Sequence, residues 1–121
     1  MMFNNEKAIY LQIADRLCDE ILSGTYAEDE RIPSVREYAV LLEVNINTTV
    51  KSFDQLATAG IIYNRRGLGY FVSKGAREQI MAERKKDFME QRLPELFRNM
   101  RMLNIDIEDV VKAYNDSHKD C

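Results

Sequence analysis

Apolar residues recur every four positions at Ile9, Ile13, Leu17 and Ile21, with Ala14 and Leu22 beside them. This is the single stripe of an amphipathic helix. Ser23-Gly24 follows, and glycine suits the position after a helix end, where positive φ is common. A first helix is therefore expected from about Ile9 to about Ser23. Ser34, with Glu37 three residues on, has the form of a capping box, in which each side chain serves the other residue's unpaired N–H. Val35, Tyr38, Ala39 and Leu42 then keep helical spacing, which predicts a short second helix opening at Ser34. Asn45 is a good N-cap for a third, with Thr49, Phe53, Leu56 and Ala57 facing inward and Gly60 ending it. Only a few residues separate the second and third helices, the connection expected of a helix-turn-helix.

The period then changes. Ile61 to Asn64 and Tyr70 to Ser73 are rich in β-formers, and Arg65-Arg66-Gly67-Leu68-Gly69 between them holds glycines suited to a reversal. Three helices followed by a hairpin with two arginines at its tip describe a winged helix. Lys74-Gly75 is the expected boundary, which gives a domain over residues 1–75 and a helical extension over 76–121. In that extension Ile80, Met81, Phe88, Met89, Leu93, Leu96, Phe97, Met100 and Leu103 recur at mostly helical spacing. Pro94 interrupts the run and should kink or divide it, because proline lacks the N–H bonded to residue i−4. Asp106 is placed to cap one more helix, with Ile105 and Val110 positioned as a hydrophobic staple. The fold class expected is mainly α with a small β-hairpin.

Size and composition narrow the chemistry. At 121 residues the chain is far too short for a (β/α)8 barrel, which needs roughly 250. Its longest apolar stretch, Gly67 to Val72, is six residues, against about 20 for a membrane span. No basic segment followed by an apolar one marks the start for secretion, so a soluble, cytoplasmic protein is expected. Cys18 and Cys121 lie far apart with no CxxC, which fits neither a zinc site nor a disulfide framework and predicts two reduced thiols. With His118 as the single histidine, neither a histidine metal cluster nor a Ser-His-Asp triad can be assembled within one chain. No catalytic constellation and no cofactor are expected. The net charge of −3 is segregated: over residues 45–75, Lys51, Arg65, Arg66 and Lys74 face only Asp54, a local balance of +3. Such a basic segment hints at an anionic partner.

The assembled series IYLQIA, ILSG, PSVRE, VNINT, LATAGII and RRGLGYFV, in this order over about residues 8–73, strongly resembles the DNA-binding domain of GntR-type bacterial transcriptional regulators. About 46 residues remain after the wing, too few for the large effector domains of most branches. They are similar to the C-terminal helix pair by which the small YtrA-like branch dimerises. Three positions depart from the family pattern. Glu28-Asp29 stands where Pro-Gly is common, Glu43 where glycine is favoured between the DNA-binding helices, and Ile46 where proline or arginine is frequent. If the position of Glu43 needs left-handed φ, a glutamate there costs roughly 1–2 kcal/mol.

The resemblance implies DNA contacts from Ser34 and Arg36 at the start of the second helix, from Asn45, Ile46, Asn47, Thr48 and Lys51 on the third, and from Arg65, Arg66 and Gly67 on the wing. Chemistry supports several of these. Arg36 has phosphate or a base edge as its expected partner, with a solvated surface arginine, or a partner for Glu37 or Glu43, as the alternative. Asn47 and Thr48 carry donors and acceptors at a helix N-terminus, where anions are favoured. Lys51, one turn on, suits a phosphate. Ile46 either meets a thymine methyl in the major groove or folds back against Val50 or the turn after the second helix. Wing arginines suit the minor groove, and glycine permits close approach. Ile80, Met81, Phe88, Leu93, Leu96, Phe97, Met100 and Leu103 are the expected dimer contacts, since one short helical tail cannot easily bury them. The function expected is a homodimeric, sequence-specific DNA-binding transcriptional regulator, a repressor on a palindromic operator. The alternative is a winged helix turned protein-interaction module. The sequence names no small-molecule effector.

Overall fold

The computed structural model describes residues 7–118. They form two compact units that divide between Ala82 and Glu83. In the first, α1 (Ile9–Leu22), α2 (Val35–Leu42) and α3 (Ile46–Thr58) precede an antiparallel hairpin of β1 (Ile62–Arg65) and β2 (Gly69–Val72). The capping box at Ser34 is complete: its hydroxyl accepts from the Glu37 amide at 3.0 Å, and the Glu37 carboxylate accepts from the Ser34 amide at 3.1 Å. Asn45 caps α3 by accepting from the Asn47 amide at 2.7 Å. Gly24 and Gly60 take positive φ where α1 and α3 end.

Ile13, Leu17 and Ile21 from α1, Tyr38 and Leu42 from α2, Phe53 and Leu56 from α3, and Ile62 and Val72 from the strands share one core. Phe53 lies at its centre, 5.9 Å from the Tyr38 ring and 5.2 Å edge-on from the Tyr70 ring. Such aromatic pairs add to the area they bury. The buried Tyr38 hydroxyl donates to Glu20, and Ser52 donates across to the Tyr10 carbonyl at 2.6 Å, tying α3 to α1. Burial, and next the bond to Glu20, push the Tyr38 phenol far above its ordinary value.

The hairpin pairs Ile62 with Val72 through to Arg65 with Gly69, so each strand reaches one residue closer to the turn than the β-former runs suggest. Arg65 is consequently a strand residue, and the turn is Arg66-Gly67-Leu68. Gly67 at φ 80 allows this reversal, and the Leu68 amide closes it onto the Arg65 carbonyl at 2.8 Å. A third, short strand-like segment flanks β2: Arg31 bridges Phe71, and Ile32 donates to the Tyr70 carbonyl at 3.0 Å.

A fourth helix, α4 (Ala76–Asp87), begins at the expected place, but its first turns belong to the first unit. Ala76 and Ile80 are buried in that unit's core, and Gln79 donates to the Ala59 carbonyl at 2.7 Å. Ile80 is therefore a core residue of the winged helix and corrects the expectation of a dimer contact: the helical period runs unbroken past the change in packing partner.

In the second unit a turn of π-helix, Phe88–Arg92, leads into α5 (Leu93–Leu103), and α6 (Ile107–His118) follows. The π-turn is the local answer to Pro94. A proline ring collides with the carbonyl four residues back, and one wider turn moves that carbonyl aside. Asn104 at φ 54 stops α5, with the Ile105 amide returning to the Met100 carbonyl at 2.9 Å. His118 is in α6, its ring 4.5 Å edge-on from Tyr114. Cys18 is half-buried on α1, and Cys121 lies outside the described residues. Among the described residues no helix is long and apolar enough to cross a membrane.

Candidate nucleic-acid interface

The turn between α2 and α3 is made by Glu43 at φ 56 and ψ 47 and closed by the Val44 amide on the Ala39 carbonyl at 3.0 Å. Left-handed backbone is the conformation in which glycine is unstrained and glutamate is not. This sharp turn sets the start of α3 beside α2. Arg36, Val40, Glu43, Val44 and Ile46 border one shallow concavity of about 380 Å³. Arg36 is exposed, and among the described residues it pairs with neither Glu37 nor Glu43. Glu37 is committed elsewhere. It completes the capping box, hydrogen bonds from the Ser34 amide first and the Ser34 side chain next hold its carboxyl below the usual glutamate range, and it stands 3.7 Å from Arg31.

Ile46, the first residue of α3, is 38% exposed, so an aliphatic surface lies open in that concavity. Asn45 and Asn47 are exposed and Thr48 half-buried on the same turn. Asn45 spends its carbonyl oxygen on the cap and keeps its amide donors. The Ser34 hydroxyl accepts within its cap and also bears on the Glu37 carboxyl. The Lys51 ammonium rests 4.1 Å from the centre of the Tyr10 ring, which places this charge between α3 and the start of α1.

On the hairpin's outer face Tyr63 stacks on Phe71 at 5.7 Å, and the Arg65 guanidinium sits 5.4 Å from the Phe71 centre. Arg65 is therefore laid along the wing, whereas Arg66 and Gly67 form the exposed tip. Asp29 takes φ 62 in the loop before α2, accepts from the Tyr63 hydroxyl at 3.0 Å and stands 3.9 Å from Lys74. Glu28 accepts from the Gly75 amide at 2.8 Å. These two acids, at the positions where the family pattern has Pro-Gly, thus fasten the loop to both ends of the hairpin.

Arg31 escaped the sequence reading. Its Nε donates to the Leu68 carbonyl at 3.0 Å, across 37 residues of chain. Nothing in local spacing marks it, because its partner is a backbone oxygen in a distant loop.

A helix-turn-helix with an exposed cation at the start of α2, amide-rich polar residues opening α3, and an arginine–glycine wing defines the winged-helix DNA-binding regulators. The chain belongs to the family described as bacterial regulatory proteins, gntR family, whose pattern it matches over residues 9–72. Its relatives are transcriptional regulators, not enzymes. It is 30% identical to the HTH-type transcriptional repressor YtrA of Bacillus subtilis over 83% of this chain and 76% of that protein. A crystal structure of a GntR-family transcriptional regulator from Bacteroides thetaiotaomicron is 46% identical, with a TM-score of 0.81 over 92% of this chain and 97% of that one. The DNA-binding domain of AraR, solved with operator ORX1, is 25% identical with a TM-score of 0.53, over 60% of this chain and 93% of that one.

Proposed function

We propose that this DNA-binding regulator is a homodimeric repressor that occupies a two-fold symmetric operator in the cytoplasm. The observation that carries the dimer is the second unit's lack of a core. Among its described residues Met100 alone is buried, while Phe88, Met89, Leu96, Phe97, Leu103, Ile107 and Val111 are exposed. Each such side chain taken from water contributes roughly 1.5–3 kcal/mol, so a second copy is the partner that makes these helices stable. Met81 is half exposed on α4, and Leu93 is partly buried. Isologous pairing would present two α3 helices to half-sites about one helical turn apart. Repression is supported by the YtrA relative, and operator binding by the AraR complex.

In this reading Arg36, Asn47 and Thr48 meet base edges or phosphates, Ile46 contacts a thymine methyl, and Ser34, Asn45 and Lys51 meet the backbone. Arg66 and Gly67 approach the minor groove, with Arg65 alongside. The winged-helix adaptor reading is less favoured, since a protein-only module has no need of exposed Arg36 and Arg66 together with a polar start to α3. Binding of duplex DNA at two salt concentrations tests the proposal. Affinity should fall steeply with salt as counterions are released, and sedimentation should give a dimer. A folded monomer, or binding indifferent to salt, would contradict it.

A further inference from the structure

We propose that Arg31 is a positioning residue: it braces the wing tip against the start of α2, so that the two DNA-facing elements are held in fixed register. The inference rests on the DNA-binding reading above for its purpose, though not for its geometry.

The backbone of Arg31 is fixed first, by its bridge to Phe71 on β2. From there the side chain reaches in two directions. Nε donates to the Leu68 carbonyl in the three-residue wing loop at 3.0 Å, and Nη2 stands 3.7 Å from Glu37 Oε1. Glu37 Oε1 is also the atom that accepts from the Ser34 amide. One guanidinium therefore spans from the loop carrying Arg66 and Gly67 to the turn carrying Ser34 and Arg36. A planar guanidinium holds its donors in a fixed fork, a geometry that the rotatable donors of an ammonium do not share.

Gly69 is the second half of the device. A Cβ there would lie 3.2 Å from Arg31 Nε, and its φ of 102 is strained for any side chain. The absent side chain leaves the lane through which the guanidinium reaches Leu68. A three-residue loop has little to hold it against motion, and ordering it before DNA arrives lowers the entropic cost of binding.

The test uses the full chain with R31K, which keeps the charge and loses the fork, and R31M, which loses both. In the unliganded protein, 15N relaxation should show Gly67 and Leu68 falling below an order parameter of about 0.6 in both variants, with α3 unchanged. On an operator recovered by selection, both variants should bind about 10-fold more weakly. Hydroxyl-radical protection at the flanks should be lost while major-groove methylation protection persists. In an R66A background, R31K should change affinity by less than about twofold, because the tip it positions has already lost its charge. Wild-type wing order in R31K would overturn the proposal. So would full affinity in R31K with weak binding in R31M, which would make Arg31 a plain phosphate contact. If the parent protein binds no duplex, the DNA reading fails, and the relaxation data alone decide the brace.

Discussion

Glu43 holds a left-handed backbone at φ 56, where a Cβ presses on the following carbonyl. Glu43→Gly should raise stability by about 0.5–1 kcal/mol, the relief of strain less the extra freedom glycine gives the unfolded chain. That is a rise in Tm of a few degrees for a domain of this size, measured by calorimetry. Asp29 shares the conformation but earns contacts through it, so Asp29→Gly should give no such gain. At the residues proposed to face DNA, Arg36→Ala should cost about 1–3 kcal/mol of operator affinity and relax preference at one base pair if it reads a base edge. Lys51→Ala should weaken all sequences about equally and lower the salt slope by about one. Ile46→Ala should relax preference for thymine at one position, read by competition between operators. An unchanged preference at every base would remove the methyl contact.

At the scale of elements, the capping box ties α2 to pH. The carboxylate form of Glu37 accepts from Ser34, so the folded protein releases that proton more readily than the unfolded chain. The stability it lends is complete above the ordinary glutamate pKa and fades as pH falls through that range toward the lower folded value. Urea midpoints should therefore drop more steeply on acidification for the parent than for Glu37→Gln, which can still cap but does not titrate. Ser34→Ala should cost about 1 kcal/mol at neutral pH. Helices and caps were legible because their signals are local: a stripe, a cap residue, a glycine. The strand-like segment at Arg31 was not, since one bridge leaves no alternation to read. Buried Ser52 was missed because its partner, the Tyr10 carbonyl, is 42 residues away. Ile80 misled because period reports that a face is apolar, not what covers it. Pro94 correctly marked a break, but that the chain would answer with a π-turn depends on how its neighbours pack.

At the scale of the molecule, the first unit has a closed core and the second has almost none. In the proposed dimer, Leu96→Glu with Phe97→Glu should give a monomer at micromolar concentration while the winged helix keeps its fold, checked by sedimentation and by the dispersion of its NMR spectrum. Operator affinity should fall with it, because two half-sites bound by linked domains gain through effective concentration. The elements that carry the candidate site were readable from order and chemistry, whereas the second unit was readable only as surplus apolar surface, with no sign of what covers it.

The most direct measurement is selection of bound sequences from a random duplex library, with retesting of the winners at two salt concentrations. The account predicts a two-fold symmetric site whose half-sites lie about one helical turn apart, bound with steep salt dependence. Failure of a folded, dimeric protein to enrich any sequence would contradict it.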